Sequence, residues 1–97
     1  MPTYVSLLKY TAKGAEAIKQ APKRIEAAKQ AAKAAGGQIK QIYVVMGRYD
    51  IVVISELPDD ETAAKSALSI ASQGNVTTET LRAFTEAEFL KIVASLP

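Results

Sequence analysis

The stretch IKQIYVVMGRYDIVVISELP, residues 39–58, sets the architecture of this chain. Its two runs, Ile39–Met46 and Asp50–Leu57, are rich in β-branched and aromatic side chains, which suit a pleated surface. Only Gly47, Arg48 and Tyr49 lie between them, and so short a connection containing glycine closes an antiparallel hairpin. Gly47 is expected to supply a positive φ in that turn. Pro58 cannot donate to a strand ladder and ends the second run.

Towards the N-terminus, Tyr4–Tyr10 has the same strand character. Thr11 then caps a helical pattern that reaches Gly36-Gly37, with Ile18, Ala21, Ile25, Ala28, Ala32 and Ala35 stepping by three and four along one face. Pro22 either kinks this segment or starts a second helix in its first turn. On the C-terminal side, Asp59-Asp60-Glu61 opens a helix whose positive N-terminal end favours carboxylates. Ala64, Ala67, Leu68 and Ala71 are expected to face inward there, and Gly74 stops it. Val76–Phe84 is an edge strand rich in threonine, and Glu86–Leu96 is a last helix with Phe89, Ile92, Val93 and Leu96 on one side.

The order β-α-β-β-α-β plus a C-terminal helix predicts an α+β, ferredoxin-like domain over residues 1–97, with a four-stranded antiparallel sheet covered on one face. The strands predicted to be central are apolar on both faces. Val5 and Leu7 oppose Tyr4, Leu8 and Tyr10, while Val52 and Ile54 oppose Ile51, Val53 and Leu57. A bare face of that kind would be an apolar patch of a size monomers avoid, so a homodimer packed sheet to sheet is expected.

Composition excludes much chemistry. With no Cys, His or Trp there is no disulfide, no thiolate nucleophile, no Cys/His metal or haem site and no imidazole-based triad. Residues 1–30 carry lysines throughout and no long apolar run, which makes a cytoplasmic protein without a membrane span the expectation. Residues 1–48 hold nine Lys/Arg against Glu16 and Glu26, whereas residues 49–97 hold three (Lys65, Arg82 and Lys91) against eight acids. Most of the lysines lie along one alanine-rich helix, without aromatic interleaving or clustered arginines, and this argues against a nucleic-acid partner. Solubility and attraction to acidic surface nearby in the fold account for the asymmetry, and assembly into higher oligomers, which salt would weaken, is a further possibility.

Met46-Gly47-Arg48-Tyr49-Asp50, the strand after it and Pro58-Asp59-Asp60-Glu61 resemble the GYD domain family. The resemblance extends to Thr11-Ala12-Lys13-Gly14, Arg24, Gly36-Gly37, Gly74-Asn75-Val76 and Thr80-Leu81-Arg82-Ala83-Phe84-Thr85, nearly the whole chain. It implies a stand-alone bacterial or archaeal protein with the dimeric α/β-barrel fold, in a family without an assigned biochemical role. Thr77 stands where the family usually has arginine, which removes one anion ligand. The hairpin also resembles the effector domain of leucine-responsive regulators, which implies small effectors bound at subunit interfaces.

The candidate ligand-binding residues are Arg82, Tyr49, Asp50, Tyr10, Thr11 and Arg24. Arg82 lies on the strand face of Val76, Thr78 and Thr80 and needs a carboxylate, from Asp50, Glu56 or a ligand. Asp50 suits a backbone-binding role at the hairpin better than that of a base. Tyr49 is a rim anchor or a hydroxyl donor. Thr11, Gly14 and Arg24 could present amides and a guanidinium to an anion, although capping explains Thr11 equally well. Asp59, Asp60 and Glu61 fit dipole capping and not a metal, since consecutive acids cannot converge on one ion. Small side chains on both long helices leave either close contact or a cavity rimmed by Tyr4, Tyr10, Tyr49 and Arg82. Two functions follow. One is a non-catalytic homodimeric binding or regulatory module, without a cofactor, for a small anionic or amphipathic metabolite. The other is a cofactor-free monooxygenase- or isomerase-like enzyme with Asp50 or Glu56 as base and Arg82 stabilising an enolate.

Overall fold

A computed structural model describes all residues, Met1–Pro97. The strands are β1 (Thr3–Tyr10), β2 (Gln38–Val44), β3 (Ile51–Glu56) and β4 (Val76–Ala83). The helices are α1 (Ala12–Glu16), α2 (Ala21–Ala34), α3 (Asp60–Ser72) and α4 (Glu86–Ala94), with a 3₁₀ turn at Ile18–Gln20. The strands form one antiparallel sheet in the order β2-β3-β1-β4, so β1 and β3 are central, as their two-sided apolar character requires. This is the expected α+β, ferredoxin-like βαββαβ arrangement with one added helix.

Pairing fixes which residues share a face. Val5 stands opposite Ile54 and Leu81, and Leu7 opposite Val52 and Glu79, on the open side. Tyr4, Ser6, Leu8 and Tyr10 point to the helices. The long helical pattern divides as Pro22 allows: the proline sits in the first turn of α2, where its missing N–H costs nothing. Gly47 has the expected positive φ, +120°. The hairpin connection is longer than the sequence suggests, because β2 stops at Val44 and the Val45 N–H closes the turn on the Asp50 carbonyl at 2.9 Å.

α3 departs from its expected face. Ala63 is buried and Ser66, Ala67 and Ile70 are half-buried, while Ala64 and Ala71 are exposed and Leu68 is 71% exposed. A helix with two large apolar side chains, Leu68 and Ile70, has no dominant stripe. Its phase is set by a tertiary bond: Asp60 accepts from the Tyr4 hydroxyl at 2.5 Å, which turns Ala63 onto Tyr4 and Leu68 outward.

α2 lies over β2 and α3 over β4, and the core divides into two clusters. Tyr4, Ala32, Leu57 and Ala63 form one, and Leu8, Ile51 and Val76 form the other.

Candidate functional site

Between the two clusters, under the separated helices, lies a cavity of about 400 Å³. Tyr4, Ser6, Leu8, Tyr10, Val53, Ser55, Thr78 and Thr80 make its floor, and α2 and α3 wall it with Ile25, Ala28, Ala32, Ala63, Ala67 and Ile70. Alanine explains the space. Helices held over opposite edges of a sheet leave a gap that methyl groups cannot fill, whereas close-packed interiors need larger side chains there. The polar groups at the floor are hydroxyls: Ser6 and Thr80 are 3.5 Å apart, Thr78 and Thr80 3.3 Å, and Ser55 is 6% exposed. The sequence candidates do not include these serines and threonines. Their signal is a polar residue at a helix-facing position of a strand, above all Ser6 between Tyr4 and Leu8.

Of the expected rim, Tyr4 and Tyr10 line the cavity, and Tyr49 and Arg82 do not. Arg82 stands opposite Tyr4 in the β1–β4 register. Its Nε lies 3.9 Å from Asp60 Oδ1, its guanidinium carbon lies 4.4 Å from the centre of the Phe84 ring, and it donates to the Ala83 carbonyl. The partner is thus Asp60, and neither Asp50 nor Glu56. Asp50 sits at the far end of β1, and strand alternation places Glu56 on the open face opposite Thr3. Burial, followed by the Asp60 carboxylate, pushes the Tyr4 hydroxyl up to about 12.

Asp50 accepts the Tyr10 N–H at 2.8 Å, while its own N–H donates to the Leu8 carbonyl at 2.9 Å. Both bonds pin the hairpin to the end of β1. Glu56 accepts from Gln38 at 3.2 Å and lies 3.5 Å from Lys40 Nζ, and these partners hold its carboxyl below the usual range. Neither carboxylate lines the cavity. Tyr49 donates to Glu79 at 2.6 Å, a bond that raises its own pKa.

The anion site expected around Thr11, Gly14 and Arg24 is not assembled. Thr11 accepts the Gly14 N–H at 3.1 Å and donates to the Gly74 carbonyl at 2.6 Å. Arg24 donates to the carbonyls of Ala17 at 3.2 Å and Gly14 at 3.5 Å, so its guanidinium serves the end of α1 although its side chain lines the cavity. The three acids diverge: Asp59 caps α3 by accepting the Thr62 N–H at 2.8 Å, which lowers its pKa, Asp60 meets Tyr4, and Glu61 lies 3.6 Å from Lys65.

The family model of the GYD domain matches residues 4–93. The chain belongs to the GYD domain family. A similar protein of Thermus thermophilus is named a glutamine synthetase and cystathionine beta-lyase binding protein. It is 36% identical over 91 residues, which cover 93% of this chain and 96% of the relative. The crystal structure of TTHA0845 from Thermus thermophilus is also similar, with a TM-score of 0.56 at 28% identity, over 88% of this GYD chain and 95% of the other. No helix of this GYD protein is long and apolar enough to cross a membrane.

Proposed function

We propose that this GYD protein is a non-catalytic, homodimeric binding module whose cavity takes a small, largely apolar molecule carrying hydroxyl or amide groups. The cavity between α2, α3 and the sheet carries this reading: its volume lies in the range of small-ligand sites, and hydroxyls outnumber charges along its floor. An anionic metabolite is disfavoured, because Arg24 is committed to main-chain carbonyls and the other cation on the wall, Lys65, has a side chain 76% exposed. The enzyme reading lacks a base, since Asp50 is held by a backbone donor and Glu56 lies on the opposite face. The name of the Thermus thermophilus relative supports a protein as client, with the cavity occupant acting as effector.

Pairing of two copies is supported by area. A folded monomer of this mass exposes about 5,400 Å². This chain exposes 6665 Å², and the surplus is of the size one partner gives up in a stable interface.

Thermal unfolding with two probes of one chain length, 1-decanol and decanoate, tests the cavity. The alcohol is expected to stabilise with the logarithm of its concentration, by about 2.7 kcal/mol at a hundredfold excess over its dissociation constant, and the carboxylate less. Ala28→Phe, which fills the space from α2, is expected to raise the melting temperature and abolish the alcohol's effect. Stabilisation by neither probe, together with a destabilised Ala28→Phe, would sink the reading.

A further inference from the structure

α4 is built to pack against something, and its own chain offers nothing. Phe89, Ile92, Val93 and Leu96 are between 42% and 64% exposed, and α4 makes no substantial contact with any other element. An isolated helix of nine residues is marginal in water, yet this one has a complete start: Thr85 accepts the Glu88 N–H at 3.2 Å while Glu88 accepts the Thr85 N–H at 2.8 Å.

Its direction is defined. Only Phe84 and Thr85 separate β4 from α4, and the Arg82 guanidinium packs on the Phe84 ring. A strand of eight residues, two extended residues and a nine-residue helix laid end to end span about 47 Å. The long dimension of the molecule is 52 Å, which matches an α4 that extends beyond the end of β4 and does not fold back over the sheet. The radius of gyration is accordingly 14.6 Å, against about 12.5 Å for a compact chain of this length.

We infer that α4 is an exchanged arm, which lays its Phe89, Ile92, Val93 and Leu96 stripe on the second copy of the chain. This rests on the paired state proposed above and adds a surface to it. The area argues for the second copy as occupant. Four strands at about 4.8 Å spacing and some 23 Å long present only roughly 450 Å² of flat sheet. α4 lies outside that face and packs on no other element, so sheet-to-sheet contact alone leaves its apolar stripe uncovered. A two-fold pair closes the account, because each copy gives one arm and receives one.

The chain has no cysteine, so Val93→Cys carries a single nitroxide label. Mixed with isotope-labelled, spin-free chain, it is expected to broaden amide resonances of the second copy. A chain ending at Thr85 should dissociate at least a hundredfold more readily by light scattering. If that chain does not fold by circular dichroism, Val93→Asp in the full chain carries the same comparison. A dimeric mass with no intermolecular broadening, or with dissociation unchanged by both variants, overturns the arm and leaves the pair intact. A monomeric mass of the full chain at every concentration overturns the pair and the arm with it.

Discussion

Tyr4 shows how one side chain links the sheet, α3 and the cavity. It is 3% exposed, its hydroxyl donates to Asp60, and its ring lies against Ala63 and Leu57. An unfolded tyrosine ionises near 10, whereas this one is pushed up to about 12 by burial and the Asp60 carboxylate. Between those values the unfolded chain gives up its proton first. The contribution of Tyr4 is therefore complete below pH 10 and is lost as the pH rises to 12. Tyr4→Phe is expected to cost about 1 to 1.5 kcal/mol near pH 8, with the gap to the parent narrowing above pH 10. Urea unfolding at pH 8, 10 and 11 checks this; a gap that stays constant would mean the hydroxyl does not stabilise the fold in its neutral form.

Among the elements, short α1 is held as a bracket between two loops. Thr11 bonds to the α3–β4 turn, Arg24 bonds to carbonyls of Gly14 and Ala17, and Gly14 lies directly against Asn75. A Cβ at Gly14 would overlap the Asn75 carbonyl oxygen and stand 2.9 Å from its carbon, and main chain cannot swing aside. Gly14→Ala is therefore expected to lower stability by roughly 3 kcal/mol, seen as a lower urea midpoint at unchanged slope. A midpoint within the error of the parent would mean that α1 can lift off the turn freely. Thr11, Gly14 and Arg24 are linked by hydrogen bonds at α1. Their neighbours in the chain cannot reveal that their donors meet carbonyls and not an anion, because the partner carbonyl of Gly74 arrives from the far end of α3.

Over the molecule as a whole, the open sheet face remains apolar. Val5, Leu7, Val52 and Ile54 lie half-buried at its centre, and Leu81 is 46% exposed beside them. Under the paired reading, Val52→Asp places a charge in the middle of that face, on the side away from the cavity, where no partner can solvate it. The expected result is a halved mass by light scattering with an unchanged circular dichroism spectrum. A mass that stays dimeric would move the interface off the sheet.

The order of residues is enough to settle the succession of strands and helical segments, the hairpin at Gly47, an interruption of the first helical segment at Pro22 and the identity of the two central strands. Those follow from local rules: backbone freedom, a missing N–H and a period of two along a strand. Folding in three dimensions was needed to fix the phase of α3, the carboxylate that meets Arg82, the fate of Asp50 and Glu56, and the distance between the helices that opens the cavity. Each of these depends on which distant group a side chain reaches once β1 lies between β3 and β4. Nothing local to Leu68, Arg82 or Ala28 encodes that neighbour.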